Sequence, residues 1–270
     1  MHPSPTDWEV FYESVKKRTG LDFHSYKAQQ LQRRIVTMAT SKGSRSLGEF
    51  WVWLSTEKGH LDWFLDRMAI NVSELFRNPD KWEDLAKQVL PDLLDKSKRL
   101  KCWSAGCSYG AEAYTLAMIL DHRFPGGHRI VGTDIDDSAL AQANRGEFIT
   151  TDLRAVPRDY KDKYLDATAD KWTAKESLKK YLTFKKHNLL ADPCDTGYDL
   201  IMCRNVVIYF TEEAKASLYQ RFFASLRPGG FLFVGSTERI FGPQDIGFEP
   251  KLPFFYQKPE LGDTSWRNAS

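Results

Sequence analysis

The stretch from residue 101 to residue 120, KCWSAGCSYGAEAYTLAMIL, constrains the fold more than any other part of this chain. Its first part is short and apolar and is bounded by charged residues, which predicts a buried β-strand. Gly106 to Gly110 is a turn of small, flexible residues, and from Ala111 apolar positions recur at helical spacing without Gly or Pro. A strand, a glycine turn and a helix in this order present backbone N–H groups at the carboxyl end of a strand, where open α/β sheets bind nucleotide-like ligands.

The turn does not carry a phosphate-binding fingerprint. Its letters, G-C-S-Y-G, differ in spacing from G-x-G-x-x-G, and the chain contains no G-x-x-x-x-G-K-[ST] segment. Two interpretations therefore stay open at this point. The turn binds a ligand, or it is a strand–helix connection that needs small residues only for packing.

Composition narrows the class of protein. The chain has 270 residues, of which 42% are hydrophobic and 13% aromatic, which suits one large and one small packed domain. A net charge of +2 does not indicate a nucleic-acid binder. The four cysteines form no C-x-x-C motif and follow no signal peptide, so we expect a reduced, cytoplasmic protein. No zinc-like spacing of His and Cys predicts a metal site, and no apolar run reaches the roughly 18–20 residues that span a bilayer.

Residues 1–70 are predicted to form a small helical domain, because apolar residues recur there at helical spacing and nothing resembles a strand. The second predicted helix carries a basic group made of Lys27, Arg33 and Arg34. This group has two interpretations. It is a solvated helix face, or it docks an acidic helical partner by charge attraction.

Polar residues interrupt an apolar segment just after this domain. Asn71 and Ser73 alternate with large apolar side chains, Arg77 follows, and Pro79 begins a new helix. By composition alone, this segment is an interdomain joint whose arginine extends its charge to solvent.

Beyond residue 100 the chain alternates strands and helices, as in a βαβ fold. Asp134 lies at the tip of the second predicted strand, where a parallel α/β fold holds a ribose diol. The alternative is that Asp134 or Asp136 only caps the next helix. Further strands are expected at 182–187, 198–203 and 231–235, with a turn at 226–230 and a last antiparallel strand within 250–256. Residues 146–181 are expected to form helical turns and a loop.

Several separated segments, in order, resemble one family, the chemotaxis receptor methyltransferases of the CheR type. The matching segments are NVSELFRNP (71–79), WSAGCS (103–108), GTDI (132–135), HNLL (187–190), CRNVVIYF (203–210), LRPGG (226–230) and GSTE (235–238). Members of this family transfer a methyl group from S-adenosyl-L-methionine to glutamate side chains of chemoreceptors.

The resemblance implies an α/β fold with a Rossmann-like, doubly wound S-adenosylmethionine-dependent methyltransferase domain and a small all-helical N-terminal domain. The implied divisions are a substrate-docking domain (1–70), a linker and connecting helix (71–99), the methyltransferase domain (100–258) and a flexible tail (259–270). It also implies γ-glutamyl methyl ester formation by in-line displacement, with S-adenosyl-L-homocysteine as product. The implied partners are the acidic cytoplasmic helices of chemoreceptors, and a monomer is expected.

The resemblance also assigns roles to single residues. The residues implied to bind the cofactor are Asn71, Ser73, Arg77, Gly106, Glu112, Asp134, Asn188, Leu189, Arg204 and Asn205. Among them, Asp134 holds the ribose hydroxyls, and Asn188 with Leu189 frames the adenine. Arg77 and Tyr209 are the implied catalytic residues, and Lys27, Arg33 and Arg34 are expected to dock the receptor.

The chain departs from the family pattern at the glycine turn. The family usually continues this turn as S-T-G-E-E-P-Y-S, whereas Tyr109, Ala111 and Ala113 stand here and only Glu112 of the two carboxylates is kept. Methyl transfer to another acceptor, or a cofactor-binding module without catalysis, are therefore the alternative functions. Some family members also carry a β-subdomain that binds a receptor peptide, and no strong peptide tether is expected in this chain.

Overall fold

The computed structural model describes residues 1–68 and 73–260. Contacts divide the chain into two compact units. Unit 1 is Met1–Ile70 together with Val207–Ser217, and unit 2 is Asn71–Val206 together with Leu218–Ser270. None of the helices in the described ranges is long and apolar enough to cross a membrane.

The N-terminal part of unit 1 is helical, as predicted. Its elements are α1 (Pro5–Thr19), a 3₁₀ turn (Phe23–Ser25), α2 (Ala28–Ser41), α3 (Leu47–Thr56) and α4 (Lys58–Met68). Helix α1 begins with a reciprocal cap, in which the Ser4 hydroxyl accepts the Asp7 N–H at 3.2 Å and the Asp7 carboxylate accepts the Ser4 N–H at 2.8 Å. The buried rings of Phe11, Phe50 and Phe64 lie 5.9–6.1 Å apart, so aromatic packing holds these helices together.

A second segment of the chain completes unit 1. Val207–Tyr209 forms a 3₁₀ turn rather than a continuation of the preceding strand. The backbone N–H of Lys27 donates to the carbonyl of Tyr209 at 2.9 Å, and the rings of Tyr26 and Phe210 lie 5.1 Å apart. This pairing joins residues far apart in the chain, so no local periodicity could predict it.

Unit 2 contains a mixed sheet of seven strands and a small separate sheet of three. The strands are β1 (Lys101–Ala105), β2 (Arg129–Asp134), β3 (Glu147–Phe148), β4 (Leu165–Ala167), β5 (Trp172–Ala174), β6 (Leu182–Lys186), β7 (Tyr198–Cys203), β8 (Leu226–Val234), β9 (Glu249–Leu252) and β10 (Phe255–Gln257). The large sheet has the order β6-β2-β1-β7-β8-β10-β9. The first five strands in this order pair in parallel, and β10 pairs antiparallel with both β8 and β9. The strand order reverses between β1 and β7, and ligands bind at such a switch point in doubly wound folds. The predicted α/β fold is confirmed.

The helices beyond residue 78, in chain order, are α5 (Pro79–Asp84), α6 (Leu90–Lys96), α7 (Ala111–Arg123), α8 (Asp137–Arg145), α9 (Arg158–Tyr164), α10 (Glu176–Lys179), α11 (Glu212–Ser225) and α12 (Pro243–Ile246). Of these, α5 and α7 begin at the residues that the sequence predicts, Pro79 and Ala111. Helix α8 is capped by Asp136, whose carboxylate accepts the N–H groups of Ser138 at 2.9 Å and Ala139 at 3.1 Å. The capping role therefore belongs to Asp136, which leaves Asp134 for another contact.

Two predictions at the end of the sheet are wrong in detail. Residues 226–230 are not a turn between elements, because β8 runs through them with a bulge between the pairs Tyr198↔Leu226 and Leu200↔Phe231. A Cβ at Gly230 would lie 3.0 Å from the carbonyl of Tyr198, so the bulge brings two backbones close together. The last segment forms the antiparallel pair β9 and β10 rather than one strand.

Residues 146–181 contain helical turns, as predicted, in α9 and α10, but they also contain strands that were not predicted. Strands β3, β5 and β4 form a small antiparallel sheet there. Each of these strands has two or three residues, which is too short for alternation to appear in the sequence. The absence of a strong peptide tether stays a prediction.

Candidate active site

The candidate site lies at one edge of the large sheet of unit 2. Because β1, β2, β7 and β8 run parallel, their carboxyl ends meet at the same edge. The residues that follow or end these strands are Gly106, Asp134, Arg204 and Gly235. The sequence predicted the first three of them as cofactor residues.

The turn after β1 is held by backbone bonds and leaves no room at its first glycine. The N–H groups of Gly106 and Cys107 both donate to the carbonyl of Thr133 at 2.8 Å. Gly106 has φ +78°, and a Cβ there would lie 2.5 Å from the Val206 side chain. Gly106 is therefore required by both conformation and space.

Asp134 fixes the glycine turn against the end of β2. One carboxylate oxygen accepts the Ser108 N–H at 2.7 Å, and the other accepts the N–H groups of Ile135 at 2.8 Å and Asp136 at 3.1 Å. Burial raises the pKa of Asp134, and these backbone bonds oppose that shift. A carboxylate has about four lone-pair sites, so the three bonds leave acceptor capacity for one more group.

A buried ion pair joins the start of α7 to the end of β7. The Glu112 carboxylate lies 3.5 Å from the Arg204 guanidinium, and the two side chains are 13% and 4% exposed. The Ser104 hydroxyl donates to Glu112 at 2.9 Å. Burial raises the pKa of Glu112, and the nearby Arg204 opposes that shift. Glu112 therefore turns toward the strand ends.

Arg204 also holds the segment that contains Arg77. One of its terminal nitrogens donates to the Arg77 carbonyl at 3.1 Å and to Asn78 Oδ1 at 3.1 Å. Its guanidinium lies over the rings of Trp82 at 5.2 Å and Phe233 at 4.6 Å. Arg204 Nε is buried without a hydrogen-bond partner in the described part of the chain. The structure thus brings Arg77, Glu112 and Arg204 together.

Tyr109, a departure from the family pattern, also contacts this segment. Its hydroxyl donates to the carbonyl of Ser73 and lies 3.2 Å from the Asp152 carboxylate. The Leu75 N–H donates to the Asp152 carbonyl at 2.9 Å. Burial raises the pKa of Tyr109, so its hydroxyl stays protonated and acts as a donor. Tyr109 therefore anchors Ser73 directly, and Asp152 anchors Leu75.

Asn188 and Leu189 lie after β6, in a turn with its own bonds. The Asn188 side-chain oxygen accepts the Leu190 N–H at 3.0 Å, and the Leu189 carbonyl accepts a bond from Arg221 at 2.6 Å. The His187 N–H donates to the Asp134 carbonyl at 2.9 Å. This turn is thereby joined to the strand end that carries Asp134.

Four predicted residues lie in unit 1, and one lies outside the described residues. Lys27, Arg34 and Tyr209 are near one another: Lys27 binds the Tyr209 carbonyl through its backbone, and Tyr209 acts electrostatically on Arg34. Arg33 is exposed, whereas Arg34 is half-buried and burial lowers its pKa. Asn71 is the predicted residue outside the described ranges.

Three further side chains, which the sequence did not predict, shape this site. Trp82 packs on Arg204, and its indole N–H donates to the Arg77 carbonyl at 3.0 Å. Ser104 binds Glu112, and buried Glu238 accepts the Asn205 N–H at 2.5 Å. Ser104 and Glu238 both lie in segments that carried the family resemblance. The resemblance could therefore have pointed to these two residues, although it assigned them no role.

Comparisons with known proteins identify the family of this chain. The family model described as "CheR methyltransferase, all-alpha domain" matches residues 6–69, and the one described as "CheR methyltransferase, SAM binding domain" matches residues 71–250. A chemotaxis protein methyltransferase of Listeria monocytogenes is 39% identical over 93% of this chain and 97% of its own length. Chemotaxis protein methyltransferase 1 of Pseudomonas aeruginosa is 32% identical over 89% of this chain and 92% of its own length. A chemotaxis protein methyltransferase of Borreliella burgdorferi is 31% identical over 90% of this chain and 91% of its own length.

Proposed function

Because this chain belongs to the CheR family of S-adenosylmethionine-dependent methyltransferases, we propose that it methylates glutamate side chains of chemoreceptors. The observation that carries the proposal is the buried connection from Arg77 through Arg204 to Glu112. It holds the proposed catalytic segment at the carboxyl edge of β7, beside the glycine turn, where a doubly wound sheet binds its ligand.

The side chains at this edge fit the chemistry of S-adenosylmethionine. Asp134 has acceptor capacity left for a ribose hydroxyl. Glu112 is an acceptor for the ammonium group, and Arg77 matches a carboxylate by its planar guanidinium. Asn188 and Leu189 are proposed to frame the adenine. Ser73, Gly106, Arg204 and Asn205, with Asn71, are proposed to complete the cofactor site.

The reaction requires little acid–base catalysis by the protein. When bound, the cofactor would supply a sulfonium methyl group. A glutamate carboxylate oxygen would attack the methyl carbon in line as the carbon–sulfur bond breaks, which gives a γ-glutamyl methyl ester and leaves S-adenosyl-L-homocysteine. A free glutamate has a pKa of about 4.3 and is already ionised at neutral pH, so no strong general base is needed. The proposed work of Arg77 and Tyr209 is to orient the reacting carboxylate, because a near-attack geometry with little water accounts for much of such a rate.

The partner is proposed from the charge on α2. Arg33 is exposed on this helix and Lys27 lies half-buried at its start, so a cationic surface faces solvent there. Acidic helices that display glutamates have the complementary charge, and such complementarity speeds encounter. Arg34 is proposed to contribute less to docking than Arg33, because it is half-buried near Tyr209.

Transfer of a labelled methyl group from S-adenosylmethionine to membranes that hold chemoreceptors tests this function. We expect label on the receptor that base releases, because carboxyl methyl esters hydrolyse readily. Base-stable label would indicate a different acceptor, and cofactor binding without any transfer would indicate a regulatory module. Either result would overturn the proposed acceptor.

A further inference from the structure

Glu238 is a buried acid that the proposed chemistry does not use. Its side chain lies between the ends of β7 and β8, and the residue is 4% exposed. One carboxylate oxygen accepts the Asn205 N–H at 2.5 Å and the Gly235 N–H at 2.9 Å. A single oxygen therefore connects the carboxyl ends of two neighbouring parallel strands.

Both backbone positions that Glu238 contacts are unusual. Asn205 has φ +60°, a left-handed conformation that residues other than glycine seldom adopt. At Gly235 a Cβ would lie 2.3 Å from the Glu238 carboxylate oxygen and 3.0 Å from the Asn205 nitrogen. The Glu238 N–H in turn donates to the Gly235 carbonyl at 2.9 Å. Residues 235–238 thus form a closed turn built around the Asn205 N–H.

The constrained backbone carries two proposed cofactor residues. Asn205 is held directly, and Arg204 precedes it with its guanidinium bonded to the Arg77 carbonyl and next to Glu112. The pKa of Glu112 is raised mainly by burial and lowered by Arg204 and Ser104. The charge of Glu238 is close enough to raise it further, by a smaller amount. A change in the reach of residue 238 would therefore move the backbone from which Arg204 and Asn205 extend.

We propose that Glu238 is a positioning residue of the cofactor site, which sets the backbone of Arg204 and Asn205 by accepting two N–H bonds through one oxygen. The inference rests on the proposed function only in assigning Arg204 and Asn205 to the cofactor. It makes the length of this side chain, rather than its charge, the property that matters. A glutamine has the same reach and one oxygen that can accept both bonds, whereas an aspartate keeps the charge and is one methylene shorter.

The test compares Glu238→Gln, Glu238→Asp and Thr237→Ala, the last an exposed neighbour in the same turn. S-adenosylmethionine and S-adenosylhomocysteine binding is measured by calorimetry, and thermal unfolding is followed in parallel. We expect Glu238→Gln and Thr237→Ala to bind within about threefold of the unchanged protein, and Glu238→Asp to bind roughly tenfold more weakly, because a lost buried bond costs about 1–3 kcal/mol.

The reverse order, with aspartate binding normally and glutamine weakly, would show that charge is the property that matters and would overturn the proposal. Equal binding by all three variants would overturn it too. If Glu238→Gln and Glu238→Asp weaken cofactor binding to the same extent, side-chain length is not the cause of the weaker binding, and the proposal is again overturned. Because these measurements need no receptor, a failure of methyl transfer to chemoreceptors would leave this comparison intact and would count only against the proposed acceptor.

Discussion

Arg77 is the residue whose replacement tests the proposed chemistry most directly. Its backbone carbonyl accepts the bonds from Trp82 and Arg204, and Arg77→Ala keeps that carbonyl. The fold should therefore survive, while the group that orients a carboxylate is lost. We expect turnover of receptor methylation to fall on the order of 100-fold, the effect of a misplaced reacting group. Labelled methyl transfer at saturating receptor measures it.

Arg158→Ala is the matched control, because the Arg158 side chain is 95% exposed on α9 of the same unit. It should leave turnover unchanged. Normal methylation by Arg77→Ala would remove Arg77 from the catalytic assignment. If Arg77→Ala lowered both the unfolding midpoint and the activity, the cause would be a folding defect. Arg77→Lys keeps the charge but lacks the planar guanidinium, so it helps to separate a folding defect from the loss of carboxylate orientation.

Tyr209 offers a narrower change, since Tyr209→Phe removes only a hydroxyl. The backbone bond from Lys27 to the Tyr209 carbonyl is independent of the side chain, so unit 1 should fold normally. We expect kcat to fall about tenfold, because one positioning hydrogen bond is worth about 1–1.5 kcal/mol. The Kd for S-adenosylmethionine, measured by calorimetry, should stay the same. An unchanged kcat would contradict the catalytic role.

Single residues divide into those that local pattern predicts and those that it cannot. Asp136 as a helix cap and Gly106 as a turn glycine follow from residue type and position, because the physical demand is local. Glu238 and Trp82 act on residues distant in the chain, Asn205 and Arg204. Their contacts depend on strand order, which residue type alone does not specify.

At the scale of the elements, Asp121 connects α7 to two later segments. Its carboxylate accepts the hydroxyl bonds of Tyr164 and Tyr181, both at 2.8 Å. Burial alone would raise the pKa of Asp121, but these hydrogen bonds lower it overall from its ordinary value of 3.8. The stabilising contribution of the carboxylate is therefore present above that value and is lost as pH falls through the lowered pKa.

Asp121→Asn should accordingly destabilise the protein at neutral pH and much less in acid. An amide oxygen can accept one of the two hydroxyls well, so we expect a loss of about 1–2 kcal/mol at pH 7. The difference from the unchanged protein should narrow below about pH 4. Urea unfolding at both pH values measures it, with the exposed Asp159→Asn as control. A difference that stays constant with pH would contradict the assigned cause.

The elements show where sequence patterns are informative. Strands β1 and β7 and helix α7 are buried, and their apolar runs predicted them. Strands β3 to β5 were missed because pairing across a small sheet, not alternation along the chain, defines them. The bulge in β8 could not be told from a turn by sequence, because Arg-Pro-Gly-Gly has the composition of a turn whether it connects two elements or lies within a strand.

For the molecule as a whole, the sequence predicted a helical N-terminal domain and a doubly wound sheet. It did not predict that Val207–Ser217 groups with the N-terminal helices. The bonds responsible, from Lys27 to Tyr209 and from Thr211 to Ser25, use backbone atoms. Backbone pairing leaves no residue-type signature, so only the family resemblance, which matched 203–210, marked this segment as notable.

Docking is a property of the whole charge distribution. The chain carries a net charge of only +2, so attraction to an acidic receptor must come from a local surface rather than the overall charge. Arg33→Glu reverses one exposed charge on α2. We expect the KM for receptor to rise on the order of fivefold at low salt, with S-adenosylmethionine binding unchanged.

Added salt should shrink that difference, because exposed charges are screened beyond about 10 Å at 0.1 M ionic strength. Arg18→Glu, the same reversal at an exposed position of α1, is the control and should leave the KM near its original value. Arg34→Glu should differ from Arg33→Glu by also lowering kcat, because Arg34 is half-buried near Tyr209. If Arg18→Glu and Arg33→Glu raised the KM equally, the effect would belong to total charge, and α2 would have no special part in docking.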